Sequence, residues 1–562
     1  MRSATGGSAR TEIAALRYRA AVTVTHDPPI AGLAERVDAL LATQLADGRT
    51  PGIAVAITDR DRTLLVTTAG EAERAGARPL EPRHRLEIGS IGKTFTALAL
   101  MQLADEGRLD PGDPVTRHLP WFRVPGDASI TLEHLLQHRS GITAGIDGTP
   151  EAFGQVWALR DLVPSARPGE RFHYSNVGYK ALGLVLAAVD GRPYPEVVRR
   201  RILEPLGMAD TTASITNDDR ARLAVGHTWA ADDRIGHPGI PLVAATWLET
   251  DTADGSIAST AADMAIFART LLRRGEGIVS NAAWERMAEP VPVDEGAGYG
   301  FATITRVIGG HTFVGHNGGM VGFVASLSTE AESGLGAIVL MNGPGEPVEL
   351  CRALIAAARE LRDGLDPRDA PPVDVAREQE PELVGRWQAV DGTTAFDLTA
   401  SGSRLRLSAG DDAIELESWD DDHHLAPHPG WDRFLFRVDR GADGQGPPEL
   451  WHGATRYVLD GATPRPLPDA DPSLVAHVGT YRSFTPWTPV FRIVLRGGRL
   501  WLLFPDTPDG AEPEQPLIPL ADGSFRLGDE EGGPERVRFD LLHEGRSRRA
   551  HLSGWPYHRV AD

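Results

Sequence analysis

Residues 87–96 read EIGSIGKTFT and contain one of only two lysines in the 562-residue chain. Of the 57 basic side chains, the lysines are Lys93 and Lys180, and all the others are arginines. Arginine stays protonated at any working pH, whereas a buried lysine can lose its proton and act as a base. Lys93 follows Ser90 by three residues, which on a helix places the amine over the same face as the hydroxyl. This S-x-x-K pair predicts a serine nucleophile activated by a lysine, and the alternative is a surface lysine beside an incidental helix cap.

The stretch that follows predicts a helix buried in a large domain. Residues 92–107, GKTFTALALMQLADEG, are apolar on nearly all sides of a helix. Ser90 would lie at the N-terminus of this helix, where its own N–H and the helix dipole could form half of an oxyanion hole. The desolvated amine of Lys93 could then take the hydroxyl proton.

Two further stretches supply polar groups of the kinds that such a nucleophile needs. Residues 172–179, FHYSNVGY, place Tyr174 and Asn176 two apart, so in extended backbone both side chains point to one side. A phenol beside an amine can share its proton, and a carboxamide can orient the lysine and a substrate amide. Residues 314–323, VGHNGGMVGF, place His316 on a strand before Asn317 and two glycines, Gly318 and Gly319. The Gly319 N–H could complete the oxyanion hole. The alternative for the first stretch is a tyrosine in the core followed by an asparagine in a turn. The alternative for the second stretch is a simple tight turn.

Taken together, these stretches resemble the penicillin-recognising serine hydrolases, which include class C β-lactamases, D-aminopeptidases and family VIII esterases. That superfamily carries S-x-x-K, then Y-x-N, then K-T-G or H-x-G in this order, and ITLEHLLQHRSGI, PGERFHYSNVGYKALG and ILEPLGMADTT are similar to its connecting segments. The resemblance covers residues 33–363. It implies that Ser90 is acylated, that Lys93 and Tyr174 exchange its proton, and that the substrate and its oxyanion are held by Asn176, His316, Asn317, Gly318 and Gly319.

The third motif departs from the common pattern of that superfamily. Asn317 stands where many members have a hydroxyl that binds a substrate carboxylate, and His316 replaces the lysine of K-T-G. Both changes predict weak binding of a C-terminal carboxylate or a β-lactam. No glutamate is placed like the deacylating base of class A enzymes.

The first 363 residues predict an α/β sandwich. GIAVAITD and TLLVTTAG read as two strands joined at Arg60–Asp61, after a helical pattern over 31–48. Short helices and loops fill about 110–290, where STAADMAIFARTLLRRGEG is a longer helix capped by Ser259 or Thr260. Strands return at YGFATITRV, HTFVGHNGGMVGFVASLS and GLGAIVLMN before a closing helix. We therefore expect the first and last segments to share one antiparallel sheet, flanked by helices and a helical subdomain.

The remainder predicts two small antiparallel β-barrels of the lipocalin-like kind. The predicted boundaries are a tail over 1–32, the catalytic domain over 33–363, a linker over 364–382, barrels over 383–460 and 474–562, and a second linker over 461–473. LVGRWQA resembles HVGTYRS, GSRLRLS resembles GGRLWLL, and WHGATRYV resembles LSGWPYHRV, which indicates a tandem repeat. Bacterial D-aminopeptidases have a similar layout, and we expect a loop from one barrel to narrow the active-site cleft.

Composition excludes several classes of protein. The formal net charge of −21 disfavours nucleic acid, and the absence of a long apolar run disfavours a membrane span. No signal peptide is apparent, so we expect a cytoplasmic enzyme, although a mis-assigned start codon would hide an export signal. His134 and His138 have i, i+4 spacing without the glutamate of H-E-x-x-H, so no metal or other cofactor is expected. His423 and His424 lie in an acidic stretch and are expected to be solvated.

The predicted function is a serine hydrolase that acts through an acyl-enzyme on small amides or short peptides, in the manner of a D-aminopeptidase or amidase. An esterase or acyltransferase, including a peptide-cyclising transacylase, is the nearest alternative, because water and other nucleophiles compete for the same acyl group. A catalytically silent binding module is a third hypothesis. The expected partner is the substrate, with a homo-oligomer left open.

Overall fold

The structure is a computed structural model, and it describes residues 30–126, 129–145, 151–162, 166–294, 296–365, 380–441, 446–505 and 512–560. Most of the predicted tail over 1–32 and most of the predicted linker over 364–382 therefore lie outside the described residues. The chain divides into two compact units. The first takes the described residues up to Thr228 and those from Leu242 to 365, and the second takes Trp229–Pro241 and the described residues from 380 onward.

A nine-stranded antiparallel sheet with helices on both faces forms the first unit. Its strands and those near it are β1 Gly52–Thr58, β2 Thr63–Glu73, β3 Arg78–Pro79, β4 Leu86–Glu87, β5 His227–Trp229, β6 Leu242–Ala244, β7 Ala258–Ser259, β8 Val291–Asp294, β9 Ala297–Tyr299, β10 Ile304–Ile308, β11 His311–Met320, β12 Phe323–Glu330 and β13 Leu335–Met341. The large sheet has the order β3-β2-β1-β13-β12-β11-β10-β9-β8. β1 and β13 are neighbours, so the expectation that the two ends of this region share one sheet is confirmed.

The helices of this unit divide between the two faces of the sheet and a helical region. They are α1 Leu33–Leu45, α2 Gly92–Asp105, α3 Val115–His118, α4 Leu132–Leu136, α5 Ala152–Ala158, α6 Asn176–Asp190, α7 Tyr194–Val198, α8 Glu204–Leu206, α9 Ala261–Leu272, α10 Asn281–Ala288 and α11 Pro347–Arg362, with short turns of other helix types at Gly89–Ile91, Leu159–Asp161, Arg199–Leu203 and Asn217–Asp219. Thr260 is the cap of α9, where its side chain accepts the Asp263 N–H.

The alternation of side chains along β1 explains the layered packing. Ile53 and Val55 lie in the apolar cluster that contains residues of α1 and α11, whereas Ala54 and Ala56 lie in the cluster that contains residues of α2 and α9. Successive residues of a strand face opposite sides, so a strand apolar throughout must be covered on both sides. This confirms the α/β sandwich.

The second unit contains two antiparallel β structures. The first is a nearly closed nine-stranded sheet, and the second is a closed eight-stranded barrel. The first comprises β14 Gly385–Ala389, β15 Ala395–Ser401, β16 Arg404–Ala409, β17 Asp412–Glu415, β18 Glu417–Ser418, β19 His423–Leu425, β20 Phe436–Asp439, β21 Glu449–His452 and β22 Thr455–Leu459, after a short turn at Pro381–Leu383. The second comprises β23 Gly479–Arg482, β24 Val490–Arg496, β25 Arg499–Leu503, β26 Glu514–Pro519, β27 Phe525–Leu527, β28 Arg536–His543, β29 Arg546–Leu552 and β30 Trp555–Arg559, after a short turn at Pro472–His477.

The predicted repeat falls on equivalent strands of these two structures. Its three pairs of sequence matches lie on β14 and β23, on β16 and β25, and on β22 and β30. Trp387 Nε1 donates a hydrogen bond of 2.9 Å to the Leu383 carbonyl, and Tyr481 Oη donates one of 2.8 Å to the His477 carbonyl. The first strand of each β structure thus carries a buried aromatic side chain that is hydrogen-bonded to the backbone carbonyl four residues earlier.

One stretch from within the first unit's sequence packs in the second unit. Ile235 lies in an apolar cluster with Leu425 and Leu435. Arg234 Nη1 donates a hydrogen bond of 2.7 Å to Asp432, and His237 Nε2 lies 3.2 Å from the same carboxylate. Truncation after about residue 370 would remove these contacts, so a test of the barrels by truncation also exposes residues 229–241.

The expectation that His423 and His424 are solvated is wrong. Both are buried, because they lie on β19, a strand paired between β18 and β20, rather than in an acidic loop. His423 Nδ1 is 2.8 Å from Asp420, and its Nε2 is 3.8 Å from Glu514. Burial favours the neutral ring, but these carboxylates outweigh it and raise the pKa of His423 to about 9.

The raised pKa of His423 predicts a loss of stability in mild alkali. A group whose pKa rises on folding contributes stability that is complete below its ordinary value of 6.5 and is lost as the pH passes through the folded value of about 9. We expect the unfolding midpoint of the second unit to fall between pH 6.5 and 9, as followed by calorimetry. His423→Gln should remove most of this slope, and an equal slope in the variant would contradict the assignment.

No helix among the described residues is long and apolar enough to cross a membrane.

Candidate active site

Ser90 and Lys93 meet at the start of the buried helix α2. Ser90 lies in the turn Gly89–Ile91 immediately before this helix, and Lys93 is its second residue. The Lys93 Nζ donates a hydrogen bond of 2.8 Å to the Ser90 Oγ and one of 2.7 Å to the Asp254 backbone oxygen. Lys93 has no exposed surface and Ser90 is 6% exposed. The predicted pair is therefore in hydrogen-bond contact and shielded from water.

Two phenol rings lie beside this amine. The centroid of the Tyr174 ring is 5.0 Å from Lys93 Nζ, and that of Tyr179 is 5.6 Å away. Tyr179 is occupied by a hydrogen bond from its hydroxyl to the Leu136 carbonyl at 2.7 Å. Burial raises the pKa of Tyr179 well above its ordinary value. The ring of Tyr174, the predicted proton partner, thus lies beside the Lys93 amine.

Asn176 is placed differently from the expected extended segment. It is the first residue of α6, because Ser175 caps this helix by accepting the Gly178 N–H at 3.1 Å. Ser175 itself is extended, with φ −142° and ψ 106°. The Y-S-N stretch therefore passes from extended backbone into a helix, and Asn176 sits at the helix N-terminus.

Strand β11 lies against the turn that carries the nucleophile. Its pairing with β10 runs from His311 to Gly315, so residues 316–320 continue beyond that neighbour. A Cβ added at Gly318 would overlap the Ile88 carbonyl oxygen and lie 3.1 Å from the Ser90 nitrogen, and one added at Gly89 would lie 2.6 Å from the Gly319 nitrogen. Only glycines permit this approach, which brings the backbones of Ser90 and Gly319 to one place.

Gly318→Ala is expected to disrupt this contact. The new methyl group would meet backbone atoms that no rotamer change can move, so β11 and the Ser90 turn must separate. We expect a loss of about 1–3 kcal/mol in the free energy of unfolding and a fall of about 10²–10³-fold in kcat. Gly76→Ala is the control, since a Cβ there would meet atoms no closer than 3.6 Å. Denaturant unfolding and steady-state rates measure both effects, and an unchanged kcat in folded Gly318→Ala would contradict the proposed role of this contact.

A chain of hydrogen bonds fixes the protonation of His316. The Ser175 N–H donates to His138 Nδ1 at 2.9 Å, so the proton of His138 is on Nε2, which donates to the Tyr299 hydroxyl at 3.1 Å. The Tyr299 hydroxyl then donates to His316 Nε2 at 3.0 Å, and His316 Nδ1 donates to the Asn317 carbonyl at 2.5 Å. Burial and the nearby Lys93 lower the pKa of His316 to about 3. His316 is therefore neutral near pH 7.

The other sequence-predicted positions are also accounted for. Asn317 is exposed, and its Oδ1 accepts a hydrogen bond of 3.1 Å from Ser326. His134 caps α4 through a capping box with Thr131 instead of joining His138 in a metal site. Within the described ranges, no group of three or more His, Cys, Asp and Glu side chains is arranged to hold a metal ion.

Sequence reasoning missed three residues that contact the site. Asp254 receives a hydrogen bond from Lys93, while Tyr299 and His138 support His316. Asp254 and Tyr299 stand in stretches without a motif, so local pattern carried no signal for them. His138 was noted only for its spacing from His134, and no role at this site was predicted for it.

Comparison with known proteins identifies relatives of this chain. The β-lactamase family model matches residues 37–360. Protein flp from Staphylococcus aureus is 30% identical over 203 residues, which is 34% of this chain and 41% of that protein. The chain thus matches about two fifths of the length of this relative.

Two solved structures extend the comparison. An octameric penicillin-binding protein homologue from Pyrococcus abyssi is 26% identical with a TM-score of 0.56, over 75% of this chain and 99% of that one. The D-amino acid amidase of Ochrobactrum anthropi, complexed with L-phenylalanine, is 25% identical with a TM-score of 0.50, over 59% of this chain and 98% of that one. With the S-x-x-K pair assembled in a matching fold, the chain belongs to the β-lactamase family.

Proposed function

We propose that the protein is a serine hydrolase that cleaves small amides or short peptides through a covalent acyl-enzyme, in the manner of a D-aminopeptidase or amidase. The observation that carries this proposal is the 2.8 Å contact between the buried Lys93 amine and the Ser90 hydroxyl. An uncharged amine has two N–H donors and one lone pair. In the uncharged form, one N–H can bond the Asp254 carbonyl while the lone pair takes the proton of Ser90 across the same 2.8 Å separation.

In the proposed acylation, the Ser90 Oγ attacks the carbonyl carbon of the substrate as Lys93 Nζ takes the hydroxyl proton. The negative charge moves to the carbonyl oxygen, and the N–H groups of Ser90 and Gly319 are proposed to hold it. The C–N bond then breaks, and the leaving nitrogen receives the proton from Lys93 through Tyr174. The products of this half-reaction are a free amine and the Ser90 ester.

Deacylation reverses these roles. A water molecule gives a proton to the Lys93–Tyr174 pair and attacks the ester carbon, and Ser90 leaves as its hydroxyl. The net reaction consumes one water and yields a carboxylic acid and an amine. If an amine or alcohol enters instead of water, the same steps give acyl transfer.

The polarity of the third motif supports neutral or cationic substrates. The neutral His316 offers no positive charge, and the Asn317 carboxamide is bonded to Ser326. A substrate carboxylate would therefore lose its water without gaining an ionic partner from these two residues. Substrates with a free amino group or a capped C-terminus fit this part of the site better.

An esterase or acyltransferase remains the second candidate, since the contact between Ser90 and Lys93 serves both reactions equally.

The Pyrococcus abyssi homologue is octameric, and self-association of this chain is a further proposal that analytical ultracentrifugation would test.

Two substrates that each release a coloured nitroaromatic product distinguish amide hydrolysis from ester hydrolysis. We expect D-Ala-p-nitroanilide and a p-nitrophenyl ester both to be turned over, with Ser90→Ala inactive toward each. Turnover of the ester alone would favour the esterase. Turnover of neither substrate, together with no labelling of Ser90 by a fluorophosphonate, would favour a silent binding module and overturn the proposal.

A further inference from the structure

Lys180, the second lysine of the chain, lies close to Asp254, the residue whose backbone oxygen is bonded to Lys93. Lys180 is on α6, four residues after Asn176, so the two occupy one face of the helix a turn apart. Its side chain is 3% exposed. The mechanism above gives this buried cation no role, although every other basic side chain except Lys93 is an arginine.

Both amines contact Asp254, at opposite ends of that residue. Lys93 Nζ bonds its backbone oxygen at 2.7 Å, and Lys180 Nζ lies 3.6 Å from its Oδ2. Lys180 also donates a hydrogen bond of 3.1 Å to Gln155 Oε1 on α5. A single residue thus joins the base of the site to a second buried amine.

The backbone around Asp254 is held firmly enough to transmit this contact. Thr96, one turn after Lys93 on α2, donates a hydrogen bond of 2.7 Å to the Ala253 carbonyl. Gly255 packs against Gly89, where an added Cβ would lie 3.2 Å from the Gly89 carbonyl carbon. The backbone carbonyl of Asp254 is therefore fixed relative to Lys93. Its side-chain carboxylate is the group that pairs with Lys180.

The charge of this carboxylate bears on the protonation of Lys93. A buried carboxylate near an amine favours the ammonium form, which cannot accept a proton from Ser90. A second cation paired with the carboxylate cancels most of that effect. The charged or titratable groups that face Lys93 from the surrounding elements are Tyr174, Tyr179, His138, His316 and Asp254.

We propose that Lys180 is a positioning residue that holds Asp254 and compensates its carboxylate, so that Lys93 remains an effective base. This inference rests on the proposed function, because it assigns Lys180 a role in activating Ser90. It involves no contact between Lys180 and the substrate.

The test compares the pH dependence of Ser90 labelling by a fluorophosphonate in matched variants. Lys180→Met keeps the length of the side chain and removes its charge. We expect it to lower the labelling rate at pH 7 by about tenfold and to move the acid limb of the rate profile up by about one pH unit. The double variant Lys180→Met/Asp254→Asn lacks both charges and should return the limb to within about half a unit of the wild type.

Arg201→Met is the matched control for general destabilisation. It breaks a partly buried ion pair of 2.7 Å with Asp190, at the C-terminal end of the same helix. We expect it to lower the thermal midpoint and leave the acid limb in place.

An unshifted acid limb in folded Lys180→Met would overturn the inference. If that variant does not fold, the double variant decides, since a limb displaced by a full unit there would show an effect independent of Asp254 and would also overturn it. Failure of the proposed function is distinguishable, because the wild type would then not be labelled at Ser90 at all.

Discussion

Lys93→Arg is expected to lower kcat/KM for both the anilide and the nitrophenyl ester by at least about 10³-fold. Arginine can still bond the Asp254 carbonyl, but it carries a permanent positive charge and cannot accept the Ser90 proton. Lys93→Met should lose as much activity, since it lacks the base without adding a charge. Agreement between the two variants would show that the proton, rather than the charge, is what the site requires.

Met101→Leu on the same buried helix is the control for this pair of variants. Met101 is buried, and the exchange conserves volume, so we expect less than about 1.5 kcal/mol of destabilisation and unchanged kcat/KM. Circular dichroism and thermal unfolding would establish that the Lys93 variants are folded. Activity of Lys93→Arg within tenfold of the wild type would contradict a neutral lysine base.

Tyr174→Phe is expected to affect the two substrates unequally. The nitrogen of an anilide must receive a proton to leave, whereas nitrophenolate leaves without one. If Tyr174 relays the proton from Lys93, the variant should lose about 10²–10³-fold in kcat for the anilide and only a few fold for the ester. Steady-state rates on both substrates give this ratio directly.

Tyr179→Phe is the matched control, because its ring also lies near the amine but its hydroxyl bonds the Leu136 carbonyl. We expect it to cost about 1 kcal/mol of stability and to change the anilide-to-ester ratio little. An equal loss on both substrates in Tyr174→Phe would indicate a structural role for the phenol instead of proton transfer.

The architecture was largely predictable because it follows from periodicity. The unbroken apolar run of β1 and the return of strands after residue 300 required a sheet covered on both faces, shared by the two ends of the region. The three sequence matches that indicated a repeat beyond residue 383 lie on equivalent strands of the two β structures. In both cases the signal was spread over many residues, so no single misread position could remove it.

The core of the site was predictable for a different reason. Ser90 and Lys93 are a local pair at the start of one helix, so their spacing alone predicted the observed contact. Contacts between distant stretches carried no such signal. Asp254 lies 161 residues from Lys93, and Tyr299 lies 161 residues from His138.

The errors have physical causes of the same kind. His423 looked solvated because its sequence neighbours are acidic, but it is buried near Glu514, a residue of the following barrel. Asn176 was expected in extended backbone, yet the Ser175 hydroxyl caps a helix that begins there. Lys180 was counted at the outset, and only the fold revealed that it meets the residue to which Lys93 is bonded.

The central claim is that an uncharged Lys93 takes the proton of Ser90, and adduct mapping by mass spectrometry after fluorophosphonate treatment tests it most directly. The account predicts one adduct per chain, on Ser90, that forms with an apparent pKa well below the value of about 10.4 for an ordinary lysine and is absent in Lys93→Arg. An adduct on another residue, or Ser90 labelled at the wild-type rate in Lys93→Arg, would contradict it.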